Sequence, residues 1–321
     1  MIGAAAELVF PAKNGAGKTV WQEVRARRHF YDMWKRLLAL VLLFALPVLA
    51  QQSNPRQTSP DSSGESSALL STDYHPKTIV RNFLTDEYRM WSSPFRTSDY
   101  DAHTIKKYGL PFLGVSAALI ATDTRVTGLI PNTGSQTYIW SGRVSQAGAP
   151  YTLAAAMGTL FLLSKVTHER HLTETGFLSL EALAHSQLIA VGIKEIAQRE
   201  RPIAAVQRQG FWEGGSSFPS GHATGAFAVA TVFAYEYGGQ HLAVPIIGFS
   251  LASVVGASRV SGRRHWVSDV FVGSALGFLE GRYMYKRYHD PTLPGSTVKR
   301  YSRLIPAFDV GPDGGSLDWE F

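Results

Sequence analysis

SRVSGRRHWVSD, Ser258 to Asp269, places a histidine four residues before an aspartate. On a helix this spacing puts His265 and Asp269 on one face, one turn apart. A carboxylate behind an imidazole fixes the ring tautomer and leaves a basic nitrogen for attack or proton transfer. Arg259 lies before a turn at Gly262, so its guanidinium can fold back toward the same point and bind an anion. The same spacing is also that of an ordinary structural His–Asp pair, so its meaning depends on the rest of the chain.

Two upstream segments carry complementary groups. Lys194 and Arg201 are seven residues apart, or two helical turns, which predicts both cations on one helix face about 10 Å apart. Further on, PSGH (Pro219–His222) precedes a helical run. Ser220 is predicted to be the N-cap, and Gly221 to let the backbone approach a ligand. The free N–H groups of the helix start favour an anion there.

The apolar pattern predicts an all-α bundle of about six core helices, because small residues and helix formers dominate and no strand alternation persists. In an up-and-down bundle, the end of the third helix, the start of the fourth, the end of the fifth and the start of the sixth share one end. The motifs fall at these four places, so two histidines and three cations converge there around an anion such as phosphate. The six segments lie near residues 109–122, 144–164, 178–193, 222–238, 242–258 and 267–284.

K-x6-RP, PSGH and SR-x5-H-x3-D occur in this order, and in this the chain resembles the type-2 phosphatidic-acid phosphatase superfamily. That superfamily includes lipid phosphate phosphatases, bacterial class A acid phosphatases and vanadium haloperoxidases. The resemblance covers residues 194–269 directly. It implies an acid phosphatase/vanadium haloperoxidase-like helical bundle around them.

The resemblance also implies a role for each motif residue. His265 is expected to be the nucleophile that takes the phosphoryl group, Asp269 to orient it, and His222 to be the general acid. The residues expected to hold the phosphate oxygens are Lys194, Arg201, Ser220, Gly221 and Arg259.

The predicted function is a metal-independent phosphatase that acts on phosphomonoesters or on lipid phosphates and diphosphates through a phosphohistidine. Phosphoryl transfer needs positioning and charge neutralisation, and fixed donors can supply both without a metal ion or another cofactor. Two alternatives stay open: a vanadium-dependent haloperoxidase on the same scaffold, and a non-catalytic anion-binding protein. The substrate is also open, since Phe211, Trp212 and Phe218 could form an apolar lip for a lipid chain or pack in the core.

The resemblance implies a phosphate-bearing small molecule or lipid as the partner, and the excess of positive charge favours anionic substrates or surfaces. The chain has 321 residues and a net charge of +6, but it has no aromatic-interleaved basic stripe, so a nucleic-acid partner is not expected. It contains no cysteine, which excludes disulfides and thiol catalysis. No protein partner is predicted.

Four regions are predicted along the chain. Residues 1–50 are a leader and signal peptide, with a basic pair before the apolar run Leu37–Ala50, or alternatively an uncleaved anchor. Residues 51–106 hold a linker and an amphipathic helix, 107–290 the catalytic helical domain, and 291–321 a tail that includes a β-hairpin.

The predicted localisation is periplasmic, either soluble or membrane-associated, because the mean hydropathy of −0.03 is low for a protein with six spans. The alternative is an integral inner-membrane protein.

Three further motifs are interpreted as structural. GAGKT (Gly15–Thr19) lacks the first glycine of a phosphate-binding loop. HERH (His168–His171) has two histidines that could share a metal ion, but the sequence offers no third ligand, so a solvated turn is predicted. His185 is predicted to be a hydrogen-bonded core residue.

Overall fold

The computed structural model describes residues 76–96, 102–130, 136–202, 210–295, 307–311 and 314–318, the last two ranges as backbone only. The predicted signal peptide, the linker as far as residue 75 and the glycine-containing GAGKT motif lie outside the described residues.

The described domain is helical, which confirms the all-α prediction. Short helical turns cover Ser93–Phe95, Ala102–Thr104 and Ile105–Gly109. In the tail, β1 (Ala307–Gly311) pairs antiparallel with β2 (Gly314–Asp318). The longer helices are α1 (Pro76–Ser92), α2 (Leu110–Gly128), α3 (Gln136–Ala147), α4 (Pro150–Thr167), α5 (Arg170–Ala197), α6 (Gly221–Tyr237), α7 (Ala243–Ser261) and α8 (Val267–Tyr288).

The second predicted segment, residues 144–164, is divided between α3 and α4. Pro150 begins α4, and a proline cannot donate the hydrogen bond that would continue a helix through it. The preceding Gly148 lies so close to α7 that an added Cβ would be 2.3 Å from the Val255 side chain. The described parts of residues 110–288 therefore hold seven of these longer helices, where six segments are predicted.

Helix α6 is the central helix of the bundle and packs against α5, α7 and α8. Small buried side chains such as Ala223 and Ala228 let its neighbours approach. Glycines on α8 bring it closest, because a Cβ at Gly277 would lie 2.1 Å from the Thr224 carbonyl oxygen. This contact sets the start of α6 beside the start of α8, where the predicted site lies.

Helix α1 packs against α5. The Phe83 ring stacks on the His185 ring with centroids 4.0 Å apart, and His185 Nδ1 lies 2.7 Å from Glu87 Oε1. His185 is 1% exposed. The prediction of a hydrogen-bonded core histidine is therefore confirmed.

Within the described residues, three helical stretches are long and apolar enough to cross a membrane: Gln136–Thr167, Arg170–Ala197 and Ala243–Ser261. The last of these leaves large apolar side chains more than half exposed, among them Ile246, Leu251 and Val254. These features favour a membrane protein over the soluble form in the predicted localisation. Mean hydropathy misses the spans because it averages them with polar stretches of the chain such as residues 51–75.

Candidate active site

The predicted groups come together at one end of the bundle, where α5 and α7 end and α6 and α8 begin. The charges of Lys194, Arg201 and Arg259 all act on His222. Lys194 and Arg201 also act on His265. The fold therefore brings the predicted cations and both histidines to one end of the bundle, as the motif order predicts.

His265 and Asp269 are not one helical turn apart, as the spacing predicts, because α8 begins only at Val267. His265 lies in the turn before the helix, and its backbone N–H donates to the Arg259 carbonyl at 3.2 Å. The imidazole Nδ1 is 3.6 Å from Asp269 Oδ2 but 2.7 Å from the Ser217 carbonyl oxygen. The hydrogen bond of the ring is therefore made to Ser217, and Asp269 acts as a nearby charge.

This contact defines the tautomer of His265. A carbonyl oxygen can only accept, so Nδ1 must carry the proton and donate it to Ser217. In the neutral ring, Nε2 then keeps its lone pair. The sequence predicts a basic nitrogen on this histidine, and the structure assigns it to Nε2.

Asp269 has other hydrogen-bond partners. Its Oδ1 accepts from Arg199 Nη1 at 2.6 Å, and its Oδ2 accepts from the Ser217 hydroxyl at 2.5 Å and the Trp266 backbone N–H at 2.9 Å. Burial raises the pKa of Asp269, but its contacts with His265, Arg199 and Ser217 outweigh burial and lower the pKa below its ordinary value. Asp269 is thus ionised at neutral pH.

Arg199 is the centre of a buried network that the sequence analysis does not identify. Its side chain is fully buried, donates to Asp269 and Ser268 through Nη1, and donates to Asp123 through Nη2 at 2.8 Å. The Asp123 carboxylate in turn accepts from the Ser268 backbone N–H and hydroxyl. One signal for this network is in the sequence: Asp123 is an acid within an apolar helix, and such acids usually have a buried partner.

The sequence leaves open whether the aromatic residues of this loop pack in the core or form an apolar lip, and the structure shows one packed residue and one exposed residue. The Phe211 ring centroid lies 4.8 Å from the Arg199 guanidinium carbon and 5.6 Å from the Phe218 ring centroid, so Phe211 packs on the buried network. Trp212, by contrast, is 77% exposed.

The cations reach the site from different local structures. Lys194, in the last turn of α5, donates to the Pro219 carbonyl. Arg259, in the last turn of α7, donates to the Ser145 hydroxyl. Arg201 lies beyond the end of α5, because the helix ends at a left-handed Gln198, and its Nη2 is 3.4 Å from Ser216 Oγ. The prediction that Lys194 and Arg201 share a helix face is therefore wrong, although both lie near the histidines.

Ser220 occupies the N-cap position of α6, but its hydroxyl makes no capping hydrogen bond. The hydroxyl oxygen is buried and has no partner among the described residues, while the Ser220 backbone N–H donates to the Asp269 carbonyl at 2.9 Å. A buried hydroxyl without a partner is costly, and a bound oxyanion would supply one. Gly221, the first residue of α6, accepts from Gln187 Nε2 through its carbonyl oxygen.

A cavity of about 320 Å³ opens at this end of the bundle, and its walls include His222, Arg259, Tyr138, Tyr151 and Arg264. His265 does not line it and is only 2% exposed. The cavity therefore reaches the predicted acid and one of the three predicted cations, Arg259, but it does not reach the predicted nucleophile.

Burial lowers the pKa of both histidines to about 3. For His222 the charges of Arg259, Arg201 and Lys194 add to the effect, and for His265 Asp269 opposes it. In the free site both rings are therefore neutral at neutral pH. A neutral ring is what a nucleophile requires, whereas a general acid must gain a proton.

We expect a bound phosphate-like anion to protonate His222. The anion offsets the three cations, so the pKa of His222 rises from about 3 and the ring takes up a proton on binding. From about pH 3, the pKa of His222 in the free site, up to the pKa of His222 in the complex, the affinity for phosphate should fall about tenfold per pH unit. Above the pKa in the complex, the affinity should level off. Calorimetry of inorganic phosphate binding, repeated in buffers of different ionisation enthalpy, would give the number of protons taken up on binding.

His222→Asn is the control for this measurement, because it removes the titration of His222 and leaves that of phosphate and of the other site groups. Equal proton uptake by the wild type and the variant would contradict the assignment of His222 as the proton carrier.

Residues 175–292 match the family model for the PAP2 superfamily, and the match confirms the resemblance to the type-2 phosphatidic-acid phosphatases.

Two curated relatives are phosphatases by name. The chain is 43% identical over 81 residues to the lipid A 1-phosphatase of Porphyromonas gingivalis, covering 24% of this chain and 18% of that protein. It is 32% identical over 90 residues to the probable diacylglycerol pyrophosphate phosphatase 1 of Schizosaccharomyces pombe, covering 25% of this chain and 32% of that protein. The chain thus spans less than a third of the length of either relative.

Among solved structures, the chain is similar to a transmembrane PAP2 type phosphatidylglycerolphosphate phosphatase from Bacillus subtilis. The two are 26% identical, with a TM-score of 0.41, and the alignment covers 55% of this chain and 92% of the other.

Proposed function

We propose that this chain is a metal-independent phosphatase of lipid phosphates or diphosphates that works through a phosphohistidine. The observation that carries the proposal is the hydrogen bond from His265 Nδ1 to the Ser217 carbonyl, at 2.7 Å. It leaves the Nε2 lone pair on a neutral ring for attack on phosphorus.

The reaction follows from the two histidines. Nε2 of His265 forms a bond to phosphorus as the bond from phosphorus to the leaving oxygen breaks, and His222 gives its proton to that oxygen. In the second step water attacks the phosphohistidine, His222 takes a proton from that water, and the bond from phosphorus to His265 breaks. Phosphate leaves and both histidines return to their starting states.

The proposed anion site replaces a metal ion with fixed donors. Lys194, Arg201 and Arg259 neutralise the charge on the phosphoryl oxygens, while the Ser220 hydroxyl and the Gly221 N–H donate to them. In the free site Lys194 and Arg259 make hydrogen bonds to Pro219 and Ser145 instead. Anion binding would replace these neutral acceptors by a charged one, which strengthens the hydrogen bonds from both cations.

A lipid substrate is supported by the three candidate spans and by the exposed Trp212 in the loop that leads to Ser220. Two curated relatives are named for lipid phosphates. We also propose that the site faces the periplasm. Fractionation would test the membrane part: an integral protein is released only by detergent, and a peripheral one by salt.

We expect turnover of phosphatidic acid or a prenyl diphosphate to exceed that of a soluble phosphomonoester, and to persist in EDTA. The measurement is phosphate release by the full chain in detergent micelles, with and without chelator. Loss of activity on chelation and recovery with a divalent ion would contradict the metal-free mechanism. Halide oxidation with vanadate and peroxide, without hydrolysis of any of these substrates, would contradict the phosphatase.

A further inference from the structure

A second polar cluster lies at the opposite end of the bundle. It consists of Glu174 near the start of α5, Glu236 near the end of α6, and His289 just after α8. A carboxylate oxygen of each glutamate and a ring nitrogen of the histidine all lie within 4.8 Å of one another. Along α5, Glu174 is 20 residues from Lys194, about 30 Å at helical rise, so this cluster is separate from the phosphate site.

The distances within the cluster are those of ligands around one ion. His289 Nδ1 lies 2.7 Å from Glu174 Oε1 and 3.4 Å from Glu236 Oε2. Zinc binds nitrogen and carboxylate oxygen at about 2.0–2.2 Å with tetrahedral angles, which places neighbouring ligand atoms roughly 3.3 Å apart. The 3.4 Å separation is close to that value, whereas the 2.7 Å separation is that of a hydrogen bond, which an ion between the two groups would replace.

Glu236 supplies an independent observation. Its side chain is fully buried, and its Oε1 has no hydrogen-bond partner within the described part of the chain. Together with the buried Glu174 it brings two carboxylates into a site with little solvent. A buried carboxylate oxygen without a partner is costly, and a cation is the partner that two carboxylates favour.

His171 adds a fourth group to the cluster. Its Nε2 lies 2.9 Å from Glu236 Oε2, and its ring packs on Tyr237 with centroids 4.4 Å apart. The prediction that HERH is a solvated turn is therefore wrong for His171. Glu174 lies one helical turn after His171 in the sequence, but Glu236 and His289 are 65 and 118 residues away, so only the fold brings these groups together.

We propose that Glu174, Glu236 and His289 bind one divalent transition-metal ion, with His171 as a fourth ligand or as a hydrogen-bond partner of Glu236. Two carboxylates with imidazole suit Zn²⁺ or Mn²⁺ better than Mg²⁺, which prefers oxygen alone. A dication balances the two carboxylates, and it joins the ends of α5, α6 and α8. The ion therefore stabilises the bundle and takes no part in phosphoryl transfer.

The test uses the full chain in detergent micelles, stripped with a chelator and then dialysed against ZnCl₂ or CoCl₂. We expect one ion per chain, a higher melting temperature with Zn²⁺, and visible Co²⁺ bands from a low-coordinate site with imidazole. Glu236→Gln and His289→Gln should each weaken binding at least tenfold. Turnover should not change in either variant.

His241→Gln is the matched control, because His241 is exposed and lies shortly after α6 at the same end. The proposal would be overturned if Glu236→Gln still bound Zn²⁺ saturably with the affinity of the wild type. It would also be overturned if His241→Gln weakened Zn²⁺ binding as much as Glu236→Gln does. Absence of binding would show a protonated His–Glu network in its place. If Glu236→Gln does not fold, judged by circular dichroism, X-ray absorption of the Zn²⁺-loaded wild type still decides: a shell without imidazole would contradict the site.

Discussion

His265→Ala should lower turnover by about 10⁴-fold or more, to the level left by substrate binding alone. The expectation follows from the position of His265: its Nδ1 is committed to the Ser217 carbonyl, and Nε2 is the atom we assign to attack. No other described histidine is placed to replace it, because His222 is the proposed proton donor. Turnover of the purified variant, measured against the wild type, checks the prediction.

A structural role for His265 would also lower activity, so a second variant separates the two. His265→Gly leaves a space the size of the lost ring, and we expect added imidazole to restore part of the turnover and to leave as phosphoimidazole. In the wild type, rapid quenching should trap an acid-labile phosphoryl label. His241→Ala, an exposed site, is the control for histidine loss as such. Full activity of His265→Ala, or the label persisting in it, would refute the nucleophile.

Arg199→Met should lower the free energy of unfolding by about 3–5 kcal/mol, because it leaves Asp123 and Asp269 as buried charges without their cation. Thermal unfolding in detergent, followed by circular dichroism, measures the effect. Turnover should also fall, since Asp269 would no longer be held beside His265.

A matched pair of variants identifies the cause. Arg264→Met removes an exposed guanidinium at the same end of the bundle and should change stability by less than about 0.5 kcal/mol. Adding Asp123→Asn to Arg199→Met should recover part of the loss, because one uncompensated carboxylate is removed. If Arg199→Met is as stable as Arg264→Met, the network does not stabilise the site.

Local spacing predicts the site residues but not all of their geometry. The motifs identify His222, His265 and Asp269, and the order of the helices predicts the end of the bundle where they meet. Two details are wrong for local reasons. A left-handed Gln198 ends α5 before Arg201, and α8 begins after His265, so neither seven-residue nor four-residue spacing is a helical one.

Nothing in the spacing predicts the partners of these residues. Ser217, which receives the His265 hydrogen bond, lies 48 residues away along the chain, and Asp123 lies 76 residues from Arg199. Residue types in such contacts are common elsewhere, and only close packing reveals the pairing. The same holds for Glu174, Glu236 and His289, which no motif connects.

The sequence alone predicts a helical class, an anion-binding chemistry and the residues of the proposed phosphate site, because these depend on short-range periodicity and on residue type. Only the tertiary structure assigned the His265 tautomer, the buried arginine behind Asp269 and the second cluster at the far end of α5. Those features depend on atoms that are distant in the chain and meet only when helices pack closely. The glycines of α8 permit that packing at α6, but their spacing does not state which polar groups will come into contact.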